Sequence, residues 1–405
     1  MKATPWHARP GTRSNHDRGR RGRALFLQCT NAGQYPPIIN ASKLLADDGW
    51  AVTILSSPNA ANADISIGSH RGIVEIAAPA RSRNAVRAVD YLVYVAMALA
   101  VALRIRPTLI YASDPLAALP TMLAARISGA RIIYHEHDSP ARGGLSSAIA
   151  RWRAALAKRA MLVILPNGER GRIVQEAIGF PHERLRIVWN VPRRTDLPSL
   201  GPKSDAPLVI YYHGSITPER LPEAVVQAVR QFTGKVVLKI AGYEAPSAVG
   251  YVRELIELGG GARGRQLVEW LGQIPLREDL LRVAAQAHVG LALMPVQSVD
   301  PNMRHMTGAS NKAFDYLAAG LALLVSDLED WREMFVAPGF ARTCDPNSPG
   351  SIADALNWFL DHPDQLRAMG ANGRAKIEAD WNYDTAFEPI MRALINDDRV
   401  VDFDA

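Results

Sequence analysis

Apolar runs of strand length alternate with longer amphipathic stretches through most of the chain. In the first half these runs are residues 24–29, 50–55, 109–112 and 131–134. In the second half they are residues 208–212, 236–240, 267–272 and 288–295. Apolar strands separated by amphipathic helices are typical of parallel sheets that are covered by helices on both faces. The pattern therefore predicts an α/β protein with two doubly wound domains.

The predicted elements divide the chain into five parts. With 405 residues, of which 48% are hydrophobic, the chain is long enough to bury two cores. The predicted parts are a disordered basic arm at 1–23, an N-terminal domain at 24–191, a proline- and charge-rich linker at 192–207, a C-terminal domain at 208–380, and a last helix with the tail at 381–405. The arm carries arginines without an apolar run, so we expect neither a signal peptide nor a membrane span there.

One predicted helix of the second half carries polar groups where a core helix would not need them. It runs from Ser310, a natural N-cap, to Gly320, a natural C-terminal stop, and a buried strand follows it. Asn311 and Lys312 lie in its first turn, beside the free N–H groups of the helix start, and Asp315 lies one turn from Asn311. A helix N-terminus with a lysine suits a diphosphate, and a nearby carboxylate suits ribose hydroxyls. The helix therefore predicts a nucleotide site, although a capped surface helix with solvated side chains would carry the same pattern.

A second segment strengthens the nucleotide interpretation. The predicted strand at 208–212 leads into Gly214 and Ser215, and Arg220 precedes the next predicted helix. A strand, a glycine turn and a helix start form an arrangement that often holds phosphate. The alternative is a solvated arginine at a helix start.

These two segments together resemble the retaining glycosyltransferases of family four, which include glycogen synthase and sucrose synthase. Asp315 matches the second acidic residue of the motif on the family's donor-site helix, whereas Thr307 stands where the first acidic residue is expected. Arg220 matches the lysine of the phosphate-side loop, and Ser215 stands at the position of its arginine. The resemblance extends to residues 345–374. The fold it implies is GT-B, with two Rossmann-like domains whose parallel sheets face a central cleft, and a last helix that crosses back to the N-terminal domain.

The resemblance assigns expected roles to residues of both halves. Arg220 and Lys312 would stabilise the donor diphosphate, and His137, with His135 as the alternative, would contact the donor sugar. The remaining donor-binding residues would be Gly33, Gly214, Ser215, Ser310, Asn311 and Asp315. Gly242, Gly272, Gln273 and Ile274 are added because they follow predicted strands, where ligands bind in such sheets; ordinary turns are the alternative interpretation of these positions. The loop around Gly33 has no G-x-G-x-x-G pattern, which argues against a dinucleotide cofactor. The implied reaction moves a sugar from a nucleoside-diphosphate sugar to a glycan or glycolipid hydroxyl, with retention of configuration, in cell-envelope assembly.

Several alternatives share parts of this pattern. A sugar-nucleotide epimerase has the same fold, and a non-catalytic nucleotide-sugar-binding or scaffold homologue would tolerate Ser215 and Thr307. A periplasmic binding protein also has two such domains, but no export signal is visible. His135 and His137 lie among carboxylates, yet the sequence has no second ligand cluster, so we expect no metal site and no cofactor.

Charge and cysteine content bear on partners and location. The net charge is +6, but no nucleic-acid motif occurs, so an anionic membrane surface fits better than nucleic acid. Residues 91–103 are strongly apolar between arginines and predict either a buried or a lipid-facing helix. Residues 142–158 predict an amphipathic helix whose cations would face lipid headgroups or solvent; these cations, with the residue that follows, are Arg151, Arg153, Lys158 and Arg159. The two cysteines, Cys29 and Cys344, exclude a disulfide framework and favour the cytoplasm. Together with the basic charge, this makes the inner face of the cell membrane an expected location within it.

Overall fold

The computed structural model describes most of the chain as helices and strands. The described residues are 21–58, 64–79, 87–139, 146–204, 206–245, 247–260, 267–298 and 300–398. The strands are β1 (Gly22–Gln28), β2 (Trp50–Ser56), β3 (Ile73–Ala77), β4 (Leu109–Ser113), β5 (Arg131–His135), β6 (Leu162–Leu165), β7 (Leu185–Ile187), β8 (Leu208–Ile216), β9 (Val236–Glu244), β10 (Val268–Trp270), β11 (Val289–Ala292), β12 (Ala322–Ser326) and β13 (Ala341–Cys344).

Helices fill the connections between these strands. They are α1 (Pro36–Asp47), α2 (Arg87–Ile105), α3 (Ala118–Ser128), α4 (Ser147–Arg159), α5 (Gly168–Ile178), α6 (Glu223–Arg230), α7 (Tyr251–Gly259), α8 (Arg277–Ala284), α9 (Pro301–Arg304), α10 (Asn311–Ala318), α11 (Glu329–Trp331), α12 (Pro349–Asp361), α13 (Pro363–Ala379) and α14 (Tyr383–Asp398).

The strands form two parallel sheets. Within the described residues, the first sheet has the order β3-β2-β1-β4-β5-β6-β7, and the second has the order β10-β9-β8-β11-β12-β13. In each sheet the strand order reverses beside the first strand of the domain, between β1 and β4 and between β8 and β11. Such reversals open a crevice at the carboxyl ends of the strands, where ligands bind in this class of fold. The prediction of two doubly wound domains is confirmed.

Two layers of helices cover the first sheet. On one face, α2, α3, α4 and α5 pack over a core that includes Tyr94, Ile110 and Tyr134. On the other face, α1 and α14 share a core that continues into the C-terminal domain through Phe314 and Trp331. The second sheet has a separate core beneath α6, α7 and α12.

The ends of several elements differ from the sequence prediction. Strand β1 begins at Gly22, inside the predicted arm, because Arg23 already pairs with β2. Residues 1–20 lie outside the described part of the chain, and so do Arg81 and Arg83, two of the arginines that precede the apolar residues 91–103 in the sequence. Strands β10 and β11 are shorter than the predicted runs.

The two domains contact each other through polar side chains and the last helix. The buried guanidinium of Arg170 donates to the carbonyls of His137 (2.9 Å), Asn302 (2.5 Å) and His305 (2.9 Å), which joins the loop after β5 to the loop before α10. In α14 the Tyr383 hydroxyl donates to the carbonyl of Pro37 in α1 (3.1 Å). Long-range hydrogen bonds therefore connect the two domains at these places.

Candidate functional site

A cavity of about 330 Å³ lies between the domains, at the carboxyl ends of strands from both sheets. This volume is within the range of sites that hold small molecules. The sequence-predicted residues that line it are Gly33, His137, Gly214, Ser215, Arg220, Gly242, Gln273, Ile274, Ser310, Asn311 and Lys312. Gly272 and Asp315 are not part of the wall; Gly272 supports it by accepting a hydrogen bond from the Gly242 N–H (2.8 Å). The structure thus brings together most of the predicted set, while the individual roles stay predictions.

Two glycines shape the wall where β8 and β9 end. Gly214 pairs with Gly242 across the two strands. A Cβ atom on Gly242 would lie 2.0 Å from the Gly214 carbonyl oxygen, and the φ of Gly242 is +143°. A Cβ atom on Gly214, whose φ is +110°, would lie 3.3 Å from Cε of Lys312. Glycine at both positions therefore lets the lysine side chain lie against bare backbone.

Lys312 and Arg220 place two positive charges on the cavity wall. Lys312 is 6% exposed, and among the described residues no carboxylate lies within ion-pair distance of either side chain. Burial, and then the charge of Arg220, lowers the pKa of Lys312 to about 7, although Asp315 partly opposes this shift. The Lys312 ammonium lies 5.6 Å from the centre of the Tyr212 ring. An anion in the cavity would relieve the repulsion between these two cations.

Asp315 lies below the wall as the buried centre of a charged cluster. Its side chain is fully buried, and both of its oxygens accept hydrogen bonds from the Arg277 guanidinium. Asn311 donates to it at 2.7 Å, and Nε2 of His213 lies 3.3 Å away. Burial favours the neutral acid, but Arg277, His213 and Asn311 outweigh burial and hold the pKa of Asp315 below its ordinary value. The predicted contact with ribose would require Arg277 to move away.

Sequence reasoning missed Arg277, which also lines the cavity. It is the first residue of α8, 38 positions before Asp315, and its side chain is 10% exposed. No local pattern distinguishes it from an ordinary arginine at a helix start. Its partner is set by the packing of α8 against α10, which the sequence does not reveal.

His137 enters the cavity from the N-terminal domain. It is 5% exposed, and its Nε2 lies 3.0 Å from the Ser113 hydroxyl at the end of β4. Burial lowers the pKa of His137 to about 3, so the ring is neutral at physiological pH. His135, the alternative, is fully buried against Tyr111 and does not line the cavity.

On the N-terminal side of the cavity lies Asp114, an acidic residue that the sequence analysis did not single out. Its backbone has φ 64° and ψ 165°, a conformation that is strained for a residue other than glycine. The strain places its carboxylate under the loop after β5, where it accepts a hydrogen bond from the His137 N–H (2.9 Å). Burial raises the pKa of Asp114 to about 7. Asp138, 74% exposed, lies in the cavity wall.

Several buried polar atoms around the cavity have no protein partner among the described residues. They include the Ser310 hydroxyl, Nδ1 of His137, the Asn190 side-chain oxygen, Nδ1 of His213 and Nε of Arg277. Ser310 precedes α10 as predicted, but its hydroxyl makes no capping hydrogen bond. Because buried polar groups in proteins are nearly always bonded to protein or to ordered water, these atoms are available to hydrogen-bond a polar ligand or water in the cavity.

Other predicted contacts differ in detail. The Gly33 N–H donates to the Asn31 side chain (2.8 Å), so in this conformation it does not point to a phosphate. The Thr307 hydroxyl, at the position expected for a carboxylate, bonds to the Asp330 carboxylate instead. Within the described parts of the chain, no group of three or more His, Cys, Asp and Glu residues could hold a metal ion.

Comparisons with known proteins agree with this geometry. Residues 38–191 match the family model Glycosyltransferase Family 4, and residues 208–392 match the model Glycosyl transferase-like. A search of curated proteins found no significant match. Each domain therefore matches a glycosyltransferase model.

Solved structures with the same architecture cover almost the whole chain. Alr3699/HepE of Anabaena, in complex with UDP, has a TM-score of 0.64 and 16% identity over 92% of this chain and 100% of its own. Sucrose-phosphate synthase of Thermosynechococcus elongatus has a TM-score of 0.67 and 16% identity over 93% and 100%. WaaG, a glycosyltransferase involved in lipopolysaccharide biosynthesis, has a TM-score of 0.62 and 12% identity over 90% and 98%. The chain has the GT-B fold, as predicted.

Proposed function

We propose that the protein is a glycosyltransferase that takes its sugar from a nucleoside-diphosphate sugar. The observation that carries this proposal is the convergence of Arg220 and Lys312, which have no carboxylate partner among the described residues, on the cavity between the domains. Two such cations match the two negative charges of a diphosphate diester. The family-model matches and the UDP complexes of HepE support the same donor class.

The chemistry proposed for the site is stabilisation of a leaving group. The bond between the anomeric carbon and the β-phosphate oxygen breaks, and a bond from that carbon to the acceptor oxygen forms. Arg220 and Lys312 stabilise the negative charge that develops on the departing diphosphate. His137, neutral and with Nδ1 unpartnered, accepts a hydrogen bond from a sugar hydroxyl and positions the ring.

Retention of configuration is part of the proposal and follows from the resemblance to family four. In a retaining front-face reaction the acceptor proton passes to an oxygen of the leaving diphosphate, so no protein base is needed. An inverting reaction would need a base on the acceptor side, for which the candidates are Asp138, in the cavity wall, and Asp114, which accepts a hydrogen bond from the His137 N–H. Proton NMR of the newly formed linkage distinguishes the two outcomes.

The acceptor is proposed to be a hydroxyl of a glycan or glycolipid in cell-envelope assembly, on the cytoplasmic side. We further propose that no metal ion is required, because side-chain cations supply the positive charge at the diphosphate site. The test is release of UDP from UDP-glucose and related donors, with a mixture of envelope glycolipids, in the presence of EDTA. Loss of activity with EDTA and recovery with Mg²⁺ would contradict metal independence.

Two other functions are distinguished when the sugar product of the same reactions is analysed together with UDP release. A scaffold homologue would bind both UDP and UDP-glucose, but it would release no UDP from UDP-glucose under any condition. An epimerase would convert the sugar without an acceptor. We favour transfer because residues 38–191 and residues 208–392 each match a glycosyltransferase family model.

A further inference from the structure

The outer side of α2 is apolar and exposed to solvent. Val89 is 41% exposed, Leu92 63% and Leu103 59%. Ala96 and Ala100 are exposed between them. These positions recur every three or four residues, so they form one stripe along the helix.

The opposite side of α2 is fixed in the protein core. Tyr94, Ala98 and Ala102 are almost completely buried against the first sheet. The Tyr94 hydroxyl also donates to the carbonyl of Leu55 in β2 (3.1 Å). Although α2 is long and apolar enough to cross a bilayer, crossing would remove this side from its core. The helix therefore lies along the surface of the domain with its apolar stripe outward.

The neighbouring helices continue the apolar surface. Helix α3 packs between α2 and α4, so the three helices form one outer layer. Ile127 of α3 is 48% exposed, and Trp152 of α4 is 37% exposed. We call this layer the α2–α4 face.

The charges on the α2–α4 face have almost one sign. Within the described span of these helices the only acidic residue is Asp90. The exposed cations are Arg104, Arg126, Arg151, Lys158 and Arg159.

The structure corrects one expectation about this charge. Arg153 does not face outward, because its guanidinium bonds to the fully buried carboxylate of Glu136 (2.6 and 2.7 Å). The positive charge outside comes from the other cations of α4 and from α2 and α3.

We propose that the α2–α4 face rests on an anionic lipid bilayer. The stripe of α2 and Trp152 would enter the boundary between headgroups and acyl chains, where apolar and aromatic side chains are favoured. The flanking cations would contact lipid phosphates. Charge selects this occupant over a second copy of the chain, because a symmetric dimer through the same face would bring like charges together. The inference goes beyond the proposed transfer reaction and does not depend on it.

Vesicle binding by the full-length protein tests the proposal. We expect co-sedimentation with phosphatidylcholine vesicles that contain phosphatidylglycerol, little with phosphatidylcholine alone, and weakening with added salt. Leu92→Glu/Leu103→Glu should reduce binding by about tenfold or more, because it places charge in the apolar stripe. Arg151→Glu/Lys158→Glu/Arg159→Glu should reduce it by a similar factor, again about tenfold.

Two controls separate the face from other effects. Val249→Glu, at a residue of the C-terminal domain that is 79% exposed, should leave vesicle binding unchanged. UDP affinity and melting temperature of the face variants should match the wild type, which shows that folding is intact.

Other results would overturn the proposal. They are absence of binding to anionic vesicles, equal binding to neutral vesicles, or unchanged binding of both face variants. Loss of binding only in R9Q/R13Q/R18Q/R20Q would assign the attraction to the N-terminal sequence. Conversion of a dimer to a monomer by Leu92→Glu/Leu103→Glu in gel filtration would show that the face joins two copies of the chain.

Discussion

The carboxylate of Asp315 accepts hydrogen bonds from both terminal nitrogens of the Arg277 guanidinium, at the junction of α8 and α10. This pair neutralises one positive charge of the cluster and leaves Lys312 and Arg220 without a counter-charge among the described residues. The same carboxylate was predicted to bind ribose. In this structure its hydrogen bonds position Arg277 and Asn311 in the wall of the cavity.

Asp315→Asn is therefore expected to affect folding as well as binding. The amide cannot neutralise Arg277, and breaking a buried ion pair costs about 3 kcal/mol. We expect a lower melting temperature in differential scanning fluorimetry and weaker UDP binding in calorimetry. If the melting temperature stays at the wild-type value while UDP affinity falls, the carboxylate contacts the nucleotide directly and Arg277 moves on binding.

The double variant D315N/R277Q provides the control. Removing both charges should restore part of the stability lost in Asp315→Asn, since no unpaired charge then remains buried. Additive losses of stability would mean that the two residues do not depend on each other.

The fold could be predicted from the sequence because its signals are local. Apolar runs such as those that form β1 and β8 are continuous, and parallel strands buried on both faces require that pattern. The helix start at Asn311 was also visible, because Ser310 is a common residue type before a helix, although its hydroxyl makes no capping hydrogen bond. The glycines at 214 and 242 were visible because close backbone approaches require glycine.

The partners of site residues could not be predicted in the same way. Arg277 meets Asp315, Glu136 meets Arg153, and Asp330 meets Thr307 only through tertiary packing. A carboxylate that the sequence predicts to bind a ligand can thus be paired with an arginine from another helix. The strain at Asp114 was equally hidden, because an Asp-Pro pair is ordinary in a turn.

Lys312→Ala and Arg220→Ala should each weaken UDP binding by about tenfold to a hundredfold. Each removes one charge-assisted contact, worth about 1.5–3 kcal/mol, from a site with few cations. Isothermal titration with UDP measures the effect. Arg230→Ala is the matched control, because Arg230 is an exposed arginine at the end of α6. Wild-type affinity in both site variants would refute the diphosphate site.

His137→Ala should distinguish recognition of the sugar from recognition of the nucleotide. His137 lies on the N-terminal side of the cavity, opposite Lys312, so its loss should lower the affinity for UDP-glucose by about tenfold while UDP binds as before. Comparison of the two titrations gives the difference directly. An equal loss for both ligands, with an unchanged melting temperature, would place His137 at the nucleotide.

Affinity for UDP-glucose should fall as the pH rises through about 7, because that is the pKa of Lys312 in the free protein. Below this pH the ammonium is charged and binds the diphosphate without proton uptake. Above it the amine is neutral, so binding must also take up a proton, and affinity should fall by about tenfold per pH unit until the raised pKa of the complex is reached. UDP-glucose is the better probe, because UDP has a terminal phosphate that itself titrates at about pH 6.

Lys312→Arg separates this lysine from other groups that titrate nearby. An arginine remains charged throughout the range, so the decline above pH 7 should disappear, whatever the affinity of the variant. Burial also places the pKa of Asp114 at about 7, and its contribution would persist in Lys312→Arg. Calorimetry at pH 8 in buffers of different ionisation enthalpy should show uptake of about one proton by the wild type and almost none by the variant. The same pH dependence in both proteins would assign the titration to Asp114 instead.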